Sequence, residues 1–118
     1  MSLQTSIERI PPETAVITLV GNLTLGMNLK MADGQIQGLV EEGVSRMVLD
    51  LTAVPYIDSA GLGMLVHTRG LMRQREGKLR LCGVSEQVAS LLKMTMMDEV
   101  LPVDADTTAS LAALGSAG

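Results

Sequence analysis

Residues 3–10, LQTSIERI, set Leu3, Thr5 and Ile7 between polar neighbours, the alternation of a strand with one buried face. Two prolines in RIPPET break that run. TAVITLVG then supplies a second strand rich in β-branched residues, and the short connection predicts a hairpin. After the loop GNLTLGMN the period changes. In LKMADGQIQGLVEEG, Leu29, Ala32, Ile36, Leu39 and Val40 recur at helical spacing and Gly43 is the stop. RMVLDL is a compact buried strand, and AVPYID leads from it to a helix from Ser59 to Glu76. That helix is expected to face the core with Leu62, Leu65, Val66, Arg69 and Met72, and Gly77 closes it. KLRLCGV has strand character, and Ser85 caps EQVASLLKM, whose Val88, Leu91 and Leu92 face inward. EVLPV is expected as a short last strand, its Pro102 suiting an edge. Asp104 or Asp106 then caps a final short helix through Leu114. The order β-β-α-β-α-β-α-β-α predicts an α/β fold: a mixed, mostly parallel sheet whose N-terminal hairpin strand is antiparallel. One domain over residues 3–114 and a flexible tail at 115–118 complete the expectation.

Composition narrows what such a fold does. At 118 residues the chain fits one domain, and 47 % apolar residues supply its core. Tyr56 is the only aromatic, so that core is aliphatic, with nine methionines filling irregular gaps. Methionine also suits adaptable contact surfaces, although core is the expected role for most of them. A net charge of −4 argues against nucleic acid, which calls for a clustered basic face. A single cysteine, Cys82 in LRLCGV, excludes an internal disulfide and every multi-cysteine zinc pattern, and is expected as a buried thiol. With no signal-peptide pattern and no run of apolar residues long enough to span a bilayer, a cytoplasmic protein without direct membrane insertion is expected. A monomer or weak dimer is the simplest assembly.

The chemistry concentrates in VPYIDSAGLGMLV, residues 54–66, where Asp58 and Ser59 stand together between an apolar run and two glycines. A dinucleotide fingerprint needs a third glycine at position 66, which is Val66, and no Gly-Lys-Ser/Thr follows for a P-loop. A hydrolase elbow, G-x-S-x-G, would need glycine where Ile57 stands. The sole histidine, His67, lies roughly 12 Å along the same helix from Ser59, too far to act as its base. Ser59 or Asp58 as a helix N-cap is the plain structural reading, and the glycines permit close helix–sheet approach. It is compatible with a further one. A serine at a helix N-terminus is well placed for phosphorylation, because free N–H groups and the helix dipole favour a dianion there. Such a mark adds about −1.5 to −2 charges beside an apolar patch expected at Leu62 and Met64. A partner docked on that patch would be expelled, giving a switch without catalysis by this chain.

The stretch VLDLTAVPYIDSAGLGMLV, with TAVITLVGNLTL before it and GKLRLCGVSEQVASLLKMTMMDEVLPV after it, resembles the STAS domains of bacterial anti-sigma factor antagonists over roughly residues 3–114. The resemblance implies a mixed sheet with four or five helices packed mainly on one side. It implies phosphorylation at Ser59, with Asp58 as the acid before it. It implies a partner-binding surface of Thr24, Asp58, Ser59, Ala60, Gly61, Leu62, Gly63 and Met64. No cofactor, metal or catalytic residue is implied. The partner would be an anti-sigma factor that is also a serine kinase and holds the ATP. A PP2C-type phosphatase would reverse the mark, and unphosphorylated protein would free the sigma factor. One departure stands out: in GNLT, Thr24 occupies the place where the family often has an acid, either bonding the loop or partner or serving as a turn residue. The alternative within the same fold is a scaffold, as a subunit of a stress-sensing complex or of a membrane transporter assembly.

Overall fold

Strands with near-continuous apolar sequence need cover on both faces, and these strands have it. The computed structural model describes residues 3–116. Its elements are β1 (Gln4–Ile10), β2 (Thr14–Val20), α1 (Met27–Glu41), β3 (Arg46–Ala53), α2 (Ser59–Gln74), β4 (Lys78–Cys82), α3 (Glu86–Met94), a 3₁₀ turn (Met97–Glu99), β5 (Val103–Asp104) and α4 (Thr107–Ser116). The strands form one five-stranded sheet in the order β1-β2-β3-β4-β5, with β1 antiparallel to β2 and the other pairs parallel. This is the expected mixed sheet with its hairpin edge.

The two-residue period of the strands sorts their side chains onto two faces. Ile17, Leu49 and Leu81 stand in register across three strands, each fully buried in the main core under the first three helices. Truncating any one of them to Ala would cost about 2–5 kcal/mol. The intervening Val16, Val48 and Cys82 point to the other face, where Leu114 of α4 covers them. Burial pushes the Cys82 thiol up to about 12, helped by the Asp50 carboxylate, so it stays protonated and inert.

Three details depart from the sequence pattern. The inward face of α2 is Gly61, Met64, Leu65, Thr68 and Met72, while Val66 is exposed and Leu62 and Arg69 are half-buried. A Cβ on Gly61 would overlap the Leu23 carbonyl oxygen, so the helix can rest on that loop only with glycine beneath it. Thr68 tolerates burial because its hydroxyl donates to the Met64 carbonyl at 2.8 Å. The last strand is only Val103–Asp104, since Glu99 ends a 3₁₀ turn and Pro102 has no N–H for a ladder. Asp104 therefore lies in the sheet, and Asp106 is the residue that caps α4, accepting from the Ala109 amide at 2.9 Å. Finally, α4 runs through Ser116, so the tail expected at 115–118 begins inside a helix, and positions 117–118 lie outside the described residues.

Asp104 holds α4 to the sheet. It receives Arg80 through two hydrogen bonds, of 2.6 and 3.1 Å, and the Ser110 hydroxyl at 2.6 Å. The guanidinium, with the hydroxyl behind it, keeps the Asp104 carboxyl below its ordinary range.

Gly61→Ala should lower the unfolding free energy by roughly 2 kcal/mol, because a backbone carbonyl cannot yield as a side chain does; urea denaturation reads this directly. Asp104→Asn should cost about 1 kcal/mol at pH 7. Because the folded pKa is depressed, the wild-type advantage is complete above the unfolded value of about 4 and fades as pH falls through the folded one. Denaturant midpoints of the two proteins should therefore converge below about pH 4.

Candidate functional site

Two loops leave the carboxyl ends of neighbouring parallel strands, β2 and β3, and are sewn together. Leu23 and Ile57 form a parallel bridge, with the Leu23 amide donating to the Tyr56 carbonyl at 3.1 Å and the Asp58 amide to the Leu23 carbonyl at 3.2 Å. Both apolar side chains are buried, which anchors the loops in the core. From the far side the Gln87 amide clasps Ile57, accepting from its N–H at 3.0 Å and donating to its carbonyl at 3.2 Å. Ser85 accepts from the Val88 amide as the cap of α3, as expected, and its hydroxyl donates to the Pro55 carbonyl at 3.2 Å.

The sequence left the cap of α2 open between two residues, and Asp58 is that cap. Its Oδ1 accepts from the Gly61 amide at 2.9 Å and its Oδ2 from the Leu25 amide at 3.0 Å. One carboxylate thus fixes the helix start and the neighbouring loop together. Those amides, Leu25 first and then Gly61, hold the Asp58 carboxyl below its usual range, so it is anionic at neutral pH. Ser59 is left free to point outward: it is the first residue of α2 and is exposed.

Of the residues expected on the partner surface, Gly63 is exposed, and Thr24, Ala60 and Leu62 are half-buried around Ser59. The Thr24 side chain makes no hydrogen bond among the described residues, so it does not brace the loop. Met64 and Gly61 are buried and lie beneath the surface, because the register of α2 turns them to the core. The apolar surface instead comes from residues that the pattern had assigned to loop or gap-filling roles. Leu25 is 78 % exposed, Met27 71 % and Tyr56 46 %. An open cleft of about 420 Å³ lies here, lined by Asn22, Thr24, Leu25 and Met27 among others. The affinity of methionine for adaptable surfaces was the one sequence signal that pointed to it. Gln87 carried none, since a clasp on a distant peptide leaves no local pattern.

His67 lines a cleft between α1 and α2 together with Asp33, Ala60 and Gly63. His67 Nδ1 lies 3.8 Å from Asp33 Oδ1 on α1, too long for a hydrogen bond. Among the described residues no group of three or more His, Cys, Asp or Glu is placed to hold a metal, and no helix is long and apolar enough to cross a membrane.

Known proteins share this fold and part of this sequence. The chain is 36 % identical over 64 residues to the anti-sigma-B factor antagonist of Listeria monocytogenes, a match covering 54 % of this chain and 55 % of that one. It superposes on an anti-sigma factor antagonist from Mycobacterium paratuberculosis with a TM-score of 0.80, at 20 % identity, covering 96 % of this chain and 94 % of the other. The phosphorylated form of the Bacillus cell fate determinant SpoIIAA gives a TM-score of 0.73, at 17 % identity, over 90 % and 96 % of the two chains. Residues 6–110 match the family model of the STAS domain, and the chain belongs to that family.

Proposed function

We propose that this chain is an anti-sigma factor antagonist: its unphosphorylated form binds an anti-sigma factor and thereby releases the sigma factor, and phosphorylation of Ser59 switches that binding off. The observation that carries the switch is the division of labour at the start of α2. Asp58 accepts the bonds that hold both loops, while the Ser59 hydroxyl stands in solvent at the helix N-terminus. A phosphate there meets the favourable end of the helix dipole without displacing a structural bond. The curated relative named above is an anti-sigma-B factor antagonist, and a protein of this fold is known in a phosphorylated form.

In this reading the chain is a protein substrate and ligand, not an enzyme. The kinase is the anti-sigma factor itself, which holds ATP, and a PP2C-type phosphatase removes the mark. Docking uses Leu25, Met27 and Tyr56: all three are exposed, and Leu25 is tied to Asp58, the residue before the serine. Thr24 stands on the same rim and contacts the partner. The phosphorylated serine then drives the two surfaces apart, because the added charge would have to be desolvated in an apolar contact.

Incubation with ATP and a cognate anti-sigma kinase should add one phosphate, mapped to Ser59 by mass spectrometry. Ser59→Ala should stay folded and bind the kinase with undiminished affinity. Ser59→Asp should weaken binding by roughly tenfold, about 1.4 kcal/mol. No phosphate, together with stable association with a transporter or stress-complex subunit, would sink this reading in favour of the scaffold. Met27→Ser paired with Leu25→Ser should weaken kinase binding by at least about tenfold while leaving the urea midpoint unchanged, since both side chains are mostly solvated in the free protein.

A further inference from the structure

At the opposite end of the sheet, β4 is only half covered. β5 pairs with Leu81 and Cys82 and no further, so no strand residue is paired with Leu79 on that side. The Leu81 and Gly83 amides donate outward, to the Pro102 and Asp104 carbonyls at 2.8 and 3.1 Å. Backbone alternation turns the N–H and C=O of Leu79 to this same edge. Continuing the register would set Leu101 opposite Leu79, but no such pair forms, and Pro102, which would donate to the Leu79 carbonyl, has no N–H.

A cleft of about 350 Å³ opens at this edge, with Leu79, Val100 and Leu114 in its lining. Its charged lining is entirely basic: Arg69, Arg73, Lys78 and Arg80, four of the nine Lys and Arg in a chain of net charge −4. They flank the edge from both faces of the sheet. Arg69 and Arg73 belong to α2, while Arg80 points to the α4 face, where it meets Asp104. Arg80 is thus already neutralised. Arg69 and Arg73 form no ion pair among the described residues, and their four-residue spacing sets like charges side by side on the helix. Arg73 gains from the helix C-terminus in the last turn; Arg69 lies a turn earlier and gains less.

We infer that the cleft beside Leu79 docks a short, extended acidic segment of a partner protein, which adds to the free edge of β4 and presents carboxylates to Arg69 and Arg73. The open backbone groups call for an extended chain, and the cations select an acidic one. Since an added strand turns alternate side chains to the α2 face, acids at alternate positions meet Arg69 and Arg73. The segment is held at the end of the sheet away from Ser59, so its binding is independent of the switch.

The test is a ¹⁵N-resolved titration of the full chain with the capped hexapeptide Val-Glu-Glu-Val-Glu-Glu, against Val-Lys-Lys-Val-Lys-Lys as control. The acidic peptide should shift the Leu79 amide and slow its hydrogen exchange, with affinity falling as salt rises. R69E/R73E should weaken binding at least tenfold. R73E alone, at an exposed position, should weaken it severalfold and serves as the readout if the double variant fails to fold. Absence of any shift at Leu79, equal binding of the basic peptide, or undiminished binding by R73E would overturn the inference. So would sodium tripolyphosphate competing fully with the peptide while the peptide itself leaves Leu79 exchange unchanged, since the cleft would then hold an anion without a strand.

Discussion

The Asp58 carboxylate is the constraint around which the active end of this molecule is arranged. Its two oxygens hold amides from separate segments, Leu25 in the loop after β2 and Gly61 in the first turn of α2. Neither amide has a backbone partner of its own, and an exposed backbone donor has water as its alternative. Pinning both to one anion removes that alternative at two places for the ordering of one short side chain. The close approach it enforces is also why position 61 has to be glycine, since the Leu23 backbone fills the space where a side chain would begin.

From that anchor the division between rigid and available groups follows. Leu23 and Ile57 are spent on the core, and the Gln87 clasp fixes the peptide of Ile57 from α3. The exposed side chains on either side of them, Leu25 and Tyr56, are therefore carried on backbone that is held, and an apolar contact made there loses less conformational entropy on docking. α2 connects this rim to the rest of the molecule. Its N-terminus presents Ser59, and its later turns carry Arg69 and Arg73, roughly 15–21 Å further along the axis. Negative charge is acceptable at the first end and positive charge at the other, in the sense of the helix dipole.

Much of this is legible in the sequence. The change of period after GNLTLGMN, the β-branched strands and the Asp-Ser-x-Gly start of a helix are local signals, and each element they predict is present. What was not legible depended on contacts between distant segments. The face of α2 was read from its large apolar residues, which favoured Val66, whereas the helix is seated by the residue with no side chain, Gly61, and by Thr68, which satisfies itself. EVLPV has the composition of a strand, but where β5 begins is set by the 3₁₀ turn and by what a proline cannot donate. Asp104 and Asp106 looked equivalent as caps; only the position of Arg80, on a strand 24 residues earlier, distinguishes them. Methionines divide likewise, Met47, Met64 and Met72 inward and Met27 and Met31 outward, by helix and strand phase that composition does not contain.

The order of dependence bears on how a charge at Ser59 would act. Were the serine itself the cap, modifying it would break the start of α2 and loosen both loops, and the switch would operate by local unfolding. With Asp58 as cap, the structural bonds stay in place and the new charge sits outside them. Asp58 is itself anionic and adjacent, so a phosphate on Ser59 would be driven away from the carboxylate, out into solvent. The marked and unmarked proteins would then share one backbone and differ in what their surface accepts. A partner would discriminate them by desolvation and repulsion at the contact, with no conformational equilibrium in this chain to be shifted.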